Sequence, residues 1–148
     1  MKKLLFFAAA LFAAVSFSAC SDDDDNNVNS NLLYGTWQEV HSSGYALENG
    51  QKVDEWDEVV REKSFYSFNS NGTGSYDNDA VEWDIRYTQS GNKLQMTCTD
   101  TQRDETFNYT WTIESLTETE LVATEYSKST EDGDVYEEFD TLVFKRVR

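Results

Sequence analysis

The side chains able to do chemistry are few in this chain and poorly placed for it. His41 is the only histidine among 148 residues, and nothing beside it has the spacing that marks a nucleophile and its base. It reads as a rim or surface residue ending the first strand. The 28 acids are too many for any two to be singled out as general acid and general base, so glycosidase-type catalysis has no specific support. Cys98 continues the alternation Leu94, Met96, Cys98, the position of a small buried hydrophobe rather than of a reactive thiol. Asp77-Asn78-Asp79 and Glu131-Asp132-Gly133-Asp134 gather oxygen ligands, yet neither has the spacing and distal glutamate of a calcium loop, and both read as solvated turns. The expectation is a non-enzymatic protein without catalytic residues, metal or cofactor. What remains is a set of rings, Trp83, Tyr87, Tyr109 and Trp111. In a small barrel they either fill the interior or line a cavity that stacks on a sugar or encloses an apolar molecule, and they are the candidate ligand contacts.

Strands must hold those rings. Val81, Trp83, Ile85 and Tyr87 alternate with Glu82, Asp84 and Arg86, and Phe107, Tyr109, Trp111 and Ile113 alternate with Asn108, Thr110 and Thr112, the period of half-buried antiparallel strands. Lys93 to Thr99 repeats the pattern after the turn pair Gly91-Asn92, which makes a meander. Lys63 to Ser70, the Asn71-Gly72 turn and Thr73 to Tyr76 predict a hairpin, with Asp77-Asn78-Asp79 leading into the strand near Ala80. Leu121 to Ser127 and Val135 to Val147 supply two more strands, joined through Glu131-Asp132-Gly133-Asp134. With Leu32 to His41 in front, the total is about eight, suited to a single all-β antiparallel up-and-down barrel. In the last strand Val135 and Phe139 take one phase and Leu142 and Phe144 the other, so either a bulge lies near Asp140 or both faces are covered. Tyr45 to Glu62 is the exception. Asn49-Gly50 suits a small hairpin, while Val53, Trp56, Val59 and Val60 recur at helical spacing, so the region reads as a short helix from about Lys52 to Arg61 or as strand-loop-strand with Trp56 outward.

The chain's beginning carries a different chemistry. Met1-Lys2-Lys3 precedes the apolar run Leu4 to Val15, too short to cross a bilayer comfortably but suited to a secretory leader. Phe17-Ser18-Ala19-Cys20 then resembles the lipobox of bacterial lipoproteins, which implies cleavage after residue 19 and acylation of Cys20. Ser21-Asp22-Asp23-Asp24-Asp25 is similar to the signal by which some Gram-negative gut anaerobes export lipoproteins to the outer leaflet, implying a lipid-anchored, surface-exposed outer-membrane protein. The plain reading of the same run is a solvated tether. An uncleaved anchor is opposed by the wall of charge from Asp22 and the small residues before Cys20. Removing residues 1–19 takes Lys2 and Lys3 and leaves 129 residues, moving the net charge from −16 to −18. So acidic a surface excludes nucleic acid and anionic headgroups as partners. With Cys20 acylated, Cys98 has no intramolecular partner for a disulfide, so stability must come from packing. Residues 20–31, with Val28 the only apolar side chain after Cys20, read as a flexible tether, and 32–148 as one domain.

That domain resembles the small lipocalin-like lipoproteins through Leu33-Tyr34-Gly35-Thr36-Trp37, Phe68-Asn69-Ser70-Asn71-Gly72-Thr73-Gly74 and the closing Thr141-Leu142-Val143-Phe144-Lys145-Arg146. The resemblance implies a barrel with a possible internal cavity, its Gly-x-Trp first strand at the closed end. Trp37 is then a plug at the barrel bottom, because a large ring buries most surface where a small barrel tapers. The resemblance names no ligand, and the expected role is non-enzymatic binding of a small apolar or glycan ligand. The alternative is an accessory envelope lipoprotein that binds another protein through its outer face, with Phe65, Val135 or Phe139 as the exposed trace.

Overall fold

The computed structural model describes residues 28–61 and 63–147. Cys20 and the acidic run Ser21 to Asp25 lie outside the described residues. A single turn of 3₁₀ helix at Ser30–Leu32 leads into nine strands: β1 (Gly35–Glu48), β2 (Gln51–Val59), β3 (Phe65–Phe68), β4 (Thr73–Asp77), β5 (Glu82–Ser90), β6 (Lys93–Asp100), β7 (Glu105–Leu116), β8 (Glu120–Glu131) and β9 (Asp134–Arg146). Every neighbouring pair is antiparallel, and β1 pairs with β9 from Trp37↔Arg146 to Glu48↔Tyr136, which closes the wall. The barrel has eight strands, with β2 as an extra one beside β1. The lower part of β1 pairs with β3, from Gly35↔Phe68 to Gln38↔Phe65, and its upper part with β2, from His41↔Val59 to Glu48↔Gln51.

Lys52 to Arg61 is therefore strand through Val59, not helix. Asn49 and Gly50 both have positive φ, 52° and 78°, which gives the tight turn whose twist matches a hairpin, so the chain after it continues as the partner of β1. The β-branched Val53, Val59 and Val60 accept that geometry more readily than a helical one. Trp56 does not point outward: its Nε1 donates to Asp140 Oδ1 at 3.2 Å, on the phase of the interior residue Leu142. The outer edge of β2 carries Lys52, Asp54, Glu55, Asp57 and Glu58, charges that discourage further strand addition. His41 stands in the middle of the long β1 rather than at its end. No bulge lies near Asp140. Strand β9 keeps its register with β8 throughout, and the irregularity facing it is on β1 between Glu39 and His41. The parity change instead reflects two covered faces, since Phe139 points outward and stacks on Tyr45, centroids 4.7 Å apart.

Leu33, Trp37, Phe68, Leu94, Leu121 and Phe144 are buried at the end holding the turns Asn69–Gly72, Gly91–Asn92 and Thr117–Thr119. Arg146 seals it. Its guanidinium lies 4.3 Å over the Trp37 ring and donates to the carbonyls of Leu32, Tyr34 and Glu118, while Trp37 Nε1 donates to Leu33 O at 2.8 Å. The chain reaches this end through Val28, which packs on the core and accepts a hydrogen bond from Gln89 Nε2.

Candidate functional site

At the opposite end the wall comes apart in one place. Strands β7 and β8 pair from Leu116↔Leu121 to Trp111↔Glu125 and no further, whereas β7 stays on β6 to Glu105 and β8 stays on β9 to Glu131. The upper halves of β8, β9, β1 and β2 thus form a four-stranded flap. Where flap and barrel diverge lies a cleft of about 820 Å³. Tyr45, Tyr126 and Phe139, the hydroxyls of Thr110, Thr112, Thr124 and Thr141 and the carboxylates of Glu55 and Asp57 border it from the outward phase of their strands, while Trp56, Glu125 and Asp140 border it from the inward phase. Gly44 makes room for Trp56: a Cβ there would meet the carbonyl of Phe139 and lie 2.7 Å from the indole. Phe139 sits between Tyr45 and Tyr126, with ring centroids 4.7 and 4.8 Å away.

The carboxylates differ in their surroundings. Asp57 accepts from His41 Nε2 at 2.7 Å, and Glu55 is 2.7 Å from Lys52 Nζ, so both are matched near the surface. Glu125 and Asp140 continue the inward phase of β8 and β9, after Leu121 and Ala123 and before Leu142 and Phe144. Each accepts only a neutral donor: Trp111 Nε1 to Glu125 Oε2 at 2.9 Å, and Trp56 Nε1 to Asp140 Oδ1 at 3.2 Å. Glu39, also inward, accepts from Ser64 Oγ at 3.2 Å. Burial raises all three carboxyls above their ordinary range. The negative charge of Asp140 adds to this at Glu39 and Glu125, and that of Glu138 at Glu125 and Asp140. Among the described residues, no lysine, arginine or histidine forms an ion pair with these three acids.

A barrel closed by β1 and β9, sealed at one end by a ring under a guanidinium and open at the other, has known relatives. The model of the lipocalin-like domain family matches residues 33–123, more than half of the sequence. The chain belongs to the lipocalin-like domain family. Two crystal structures of LTBP1, one a mutant in complex with leukotriene C4 and one the LTC4 complex, align with TM-scores of 0.57 and 0.58 at 14% identity, over 80% of this chain and 70% of theirs. Insecticyanin from the tobacco hornworm Manduca sexta aligns at 13% identity with a TM-score of 0.44, over 87% of this chain and 69% of that one. No curated protein matches the sequence.

In this lipocalin-like barrel the rings singled out from the sequence all face inward but do not act together. Trp111 is buried against Tyr66 and Phe144, and Tyr87 is buried against Phe68 with its hydroxyl donating to Asn69 O. Trp83 and Tyr109 are partly exposed, stacked at 6.5 Å, with Tyr76 and Phe107 alongside. None of the four lines the cleft. Cys98 is buried and unpaired, its thiol pushed up to about 11, first by burial and then by Glu125. Phe65, Val135 and Phe139 are each half-covered, and the exposed apolar side chains include Tyr45, Val53, Val59 and Tyr126. Sequence reasoning missed Trp56, Glu125 and Asp140. The last two had a readable signal, because each puts a charge on the apolar phase of a strand.

Proposed function

We propose that this lipocalin-like chain is a non-enzymatic binding protein, held on the outer face of a Gram-negative outer membrane through acylated Cys20, that takes a small ligand into the cleft where the β8–β9–β1–β2 flap parts from the barrel. The observation that carries the reading is the cleft itself. About 820 Å³ walled by four aromatic rings lies in the range of small-molecule sites. LTBP1 in its complex with leukotriene C4 shows what a barrel of this kind can hold. Glycan fragments and apolar molecules both suit the combination of rings and threonine hydroxyls. Trp83 and Tyr109 offer a second partly exposed apolar surface, whereas Tyr87 and Trp111 are committed to packing.

Attachment suits this use. Val28 enters at the sealed end, and the eight steps from Cys20 to Val28 reach at most about 28 Å at full extension. A tether through Cys20 would hold the sealed end toward the membrane and leave the flap facing the medium. Ser21 to Asp25 serve as the export signal in this reading. Docking to another envelope protein draws on exposed Val53 and Val59, but these share β2 with Lys52, Asp54, Glu55, Asp57 and Glu58, which interrupt the apolar surface.

Native mass spectrometry of protein purified from its own host tests the binding role. A co-purifying small mass is expected, and bare protein in repeated preparations would end the proposal. Protease shaving of intact cells tests location. Changing Asp22 to Asp25 to alanine should protect the domain from external protease, and unchanged cleavage would remove the export role.

A further inference from the structure

We propose that the β8–β9–β1–β2 flap is a gate: it swings against the barrel, β7 and β8 zip together over their parted halves, and a ligand that has entered through the cleft is shut inside. The swing is a property of the chain alone, and its use on a ligand rests on the binding role proposed above. The register points to it. Trp111↔Glu125, Thr112↔Thr124 and Ile113↔Ala123 pair without a slip, and the same register carried upward runs from Thr110↔Tyr126 to Glu105↔Glu131. Both strands stop at that last pair, β7 beginning at Glu105 and β8 ending at Glu131, so the parted halves match residue for residue. Each is already held extended by its other neighbour, β6 or β9, and zipping orders no new strand.

The free edges are complementary. Ile113 N donates to Asn92 O, so every second residue above Ile113 turns its backbone groups to β6, while Thr110, Asn108 and Thr106 turn theirs to the gap. On β8 the same alternation turns Tyr126, Lys128 and Thr130 to the gap. Each opposite pair can exchange two hydrogen bonds that the open form leaves to water. The outward side chains agree as well, since Asn108 meets Lys128 and Thr106 meets Thr130. Only Glu105 and Glu131, at the exposed rim, set like charges together. Phe107 and Tyr136 lie on the inward phase of their strands and are nonetheless exposed. Zipping puts them in one inward row with Ser129 between.

A hinge line lies where this motion needs one. The register of β1 on β9 slips between Glu39 and His41, opposite Phe144 and Val143, and that of β7 on β8 slips between Ile113 and Ser115, opposite Ala123 and Val122. Val122 pairs with Val143, so the two irregularities stand at one level of the adjacent strands β7, β8, β9 and β1, and bulges are where strands bend. At that level β1 also changes partner, from β3 below to β2 above. Just above it, Trp111 Nε1 donates to Glu125 Oε2 at 2.9 Å and fastens the last pair at the fork. Closing carries the inward carboxylates of Asp140 and Glu138 away from water, which favours the open form of the empty barrel. A ligand inside makes contacts that only the closed form offers, and so shifts the balance.

Cysteine pairs test the zipped register. In the full chain with Cys20→Ser the introduced cysteines are the only reactive thiols, since Cys98 is buried and its thiol pushed up to about 11. Asn108→Cys with Lys128→Cys, and separately Thr106→Cys with Thr130→Cys, replace exposed residues whose Cα atoms would come to about 5.5 Å in the closed ladder, within disulfide reach. Thr110→Cys with Thr130→Cys is out of register and about 14 Å apart in that ladder. In a glutathione redox buffer both in-register pairs should close within one chain, at least about tenfold faster than the third and at a rate independent of protein concentration. Equal rates for the three pairs overturn the gate, as does the absence of a cross-link in both in-register pairs while circular dichroism reports unchanged strand content. Disulfide-linked dimers in place of cross-linked monomers overturn it in favour of strand pairing between copies. Cross-linking as expected, with bare protein in the native mass spectrum, leaves the motion standing and removes the carrier role; a co-purifying mass without cross-linking does the reverse.

Discussion

The two ends of this barrel use a tryptophan in opposite ways. At the sealed end Trp37 has no exposed surface, its N–H is held by Leu33 O, and Arg146 covers its face. At the flap Trp56 is half-exposed, its N–H goes to an acid that lacks a cation, and it is seated over a glycine. Around Trp37 the indole N–H and the Arg146 guanidinium both have backbone carbonyl partners, and Leu33, Phe68, Leu94, Leu121 and Phe144 are buried at the same end. Around Trp56 the same wall carries Asp140, Glu125 and Glu39, whose carboxyls burial raises above their ordinary range. Dense apolar packing at one end supplies stability, and that surplus lets the other end keep buried acids that stability alone would not select.

The largest test of this contrast compares the two rings directly. Trp37→Ala should destabilise by about 3–5 kcal/mol through lost burial and the cavity left behind, read by urea denaturation. Trp56→Ala should cost about 1–2 kcal/mol, in keeping with its smaller buried area. Equal losses at the two positions would break the comparison. Gly44→Ala comes next. The added methyl meets the Phe139 carbonyl and the Trp56 indole, so a loss of about 1–3 kcal/mol is expected together with a shifted tryptophan emission. A wild-type melt would show that Trp56 is not seated where Gly44 leaves room.

The sealed end was legible in the sequence because its information is periodic. Leu33 to Trp37, Ile85 and Tyr87, Leu94 to Cys98 and Trp111 with Ile113 alternate with polar residues, and alternation states both strand and face. The flap was not legible, for two separate reasons. Val53, Trp56, Val59 and Val60 fit a helical period by coincidence, and only their pairing with β1, a long-range contact, decides that the chain runs straight. Asp140 and Glu125 were lost among 28 acids because composition hides what parity reveals. The cleft itself depends on β7 and β8 parting beyond Trp111↔Glu125, and no residue type in either strand announces where a ladder stops.

Titration sharpens the comparison further. The carboxyls of Glu39, Glu125 and Asp140 are raised in the folded state, first by burial, so the native protein binds more protons than the unfolded chain between the ordinary and the raised values. Stability should then increase as pH falls through that window. Asp140→Asn and Glu125→Gln should raise the melting temperature at neutral pH and flatten the dependence. Asp100 runs the other way. Burial pushes its carboxyl up, but the backbone N–H groups of Arg103 and Gln102 and the Arg103 guanidinium together bring it below the usual range. Its contribution is present above the ordinary carboxylate value and lost as pH falls through the lowered one, so Asp100→Asn should weaken the fold at neutral pH. Melting curves across pH for the three variants check both signs, and a parallel response would contradict the assignment.

The smallest expected effect on stability falls at the rim. Lys52 is exposed, and its ion pair with Glu55 and its place over Tyr45 together contribute under about 1 kcal/mol. Lys52→Ala should hardly move the melting temperature. A fall of several degrees would mean that Lys52 holds β2 against β1 by packing its stem on Tyr45, so that the contact of chain with ring, and not the ion pair, is what the substitution removes.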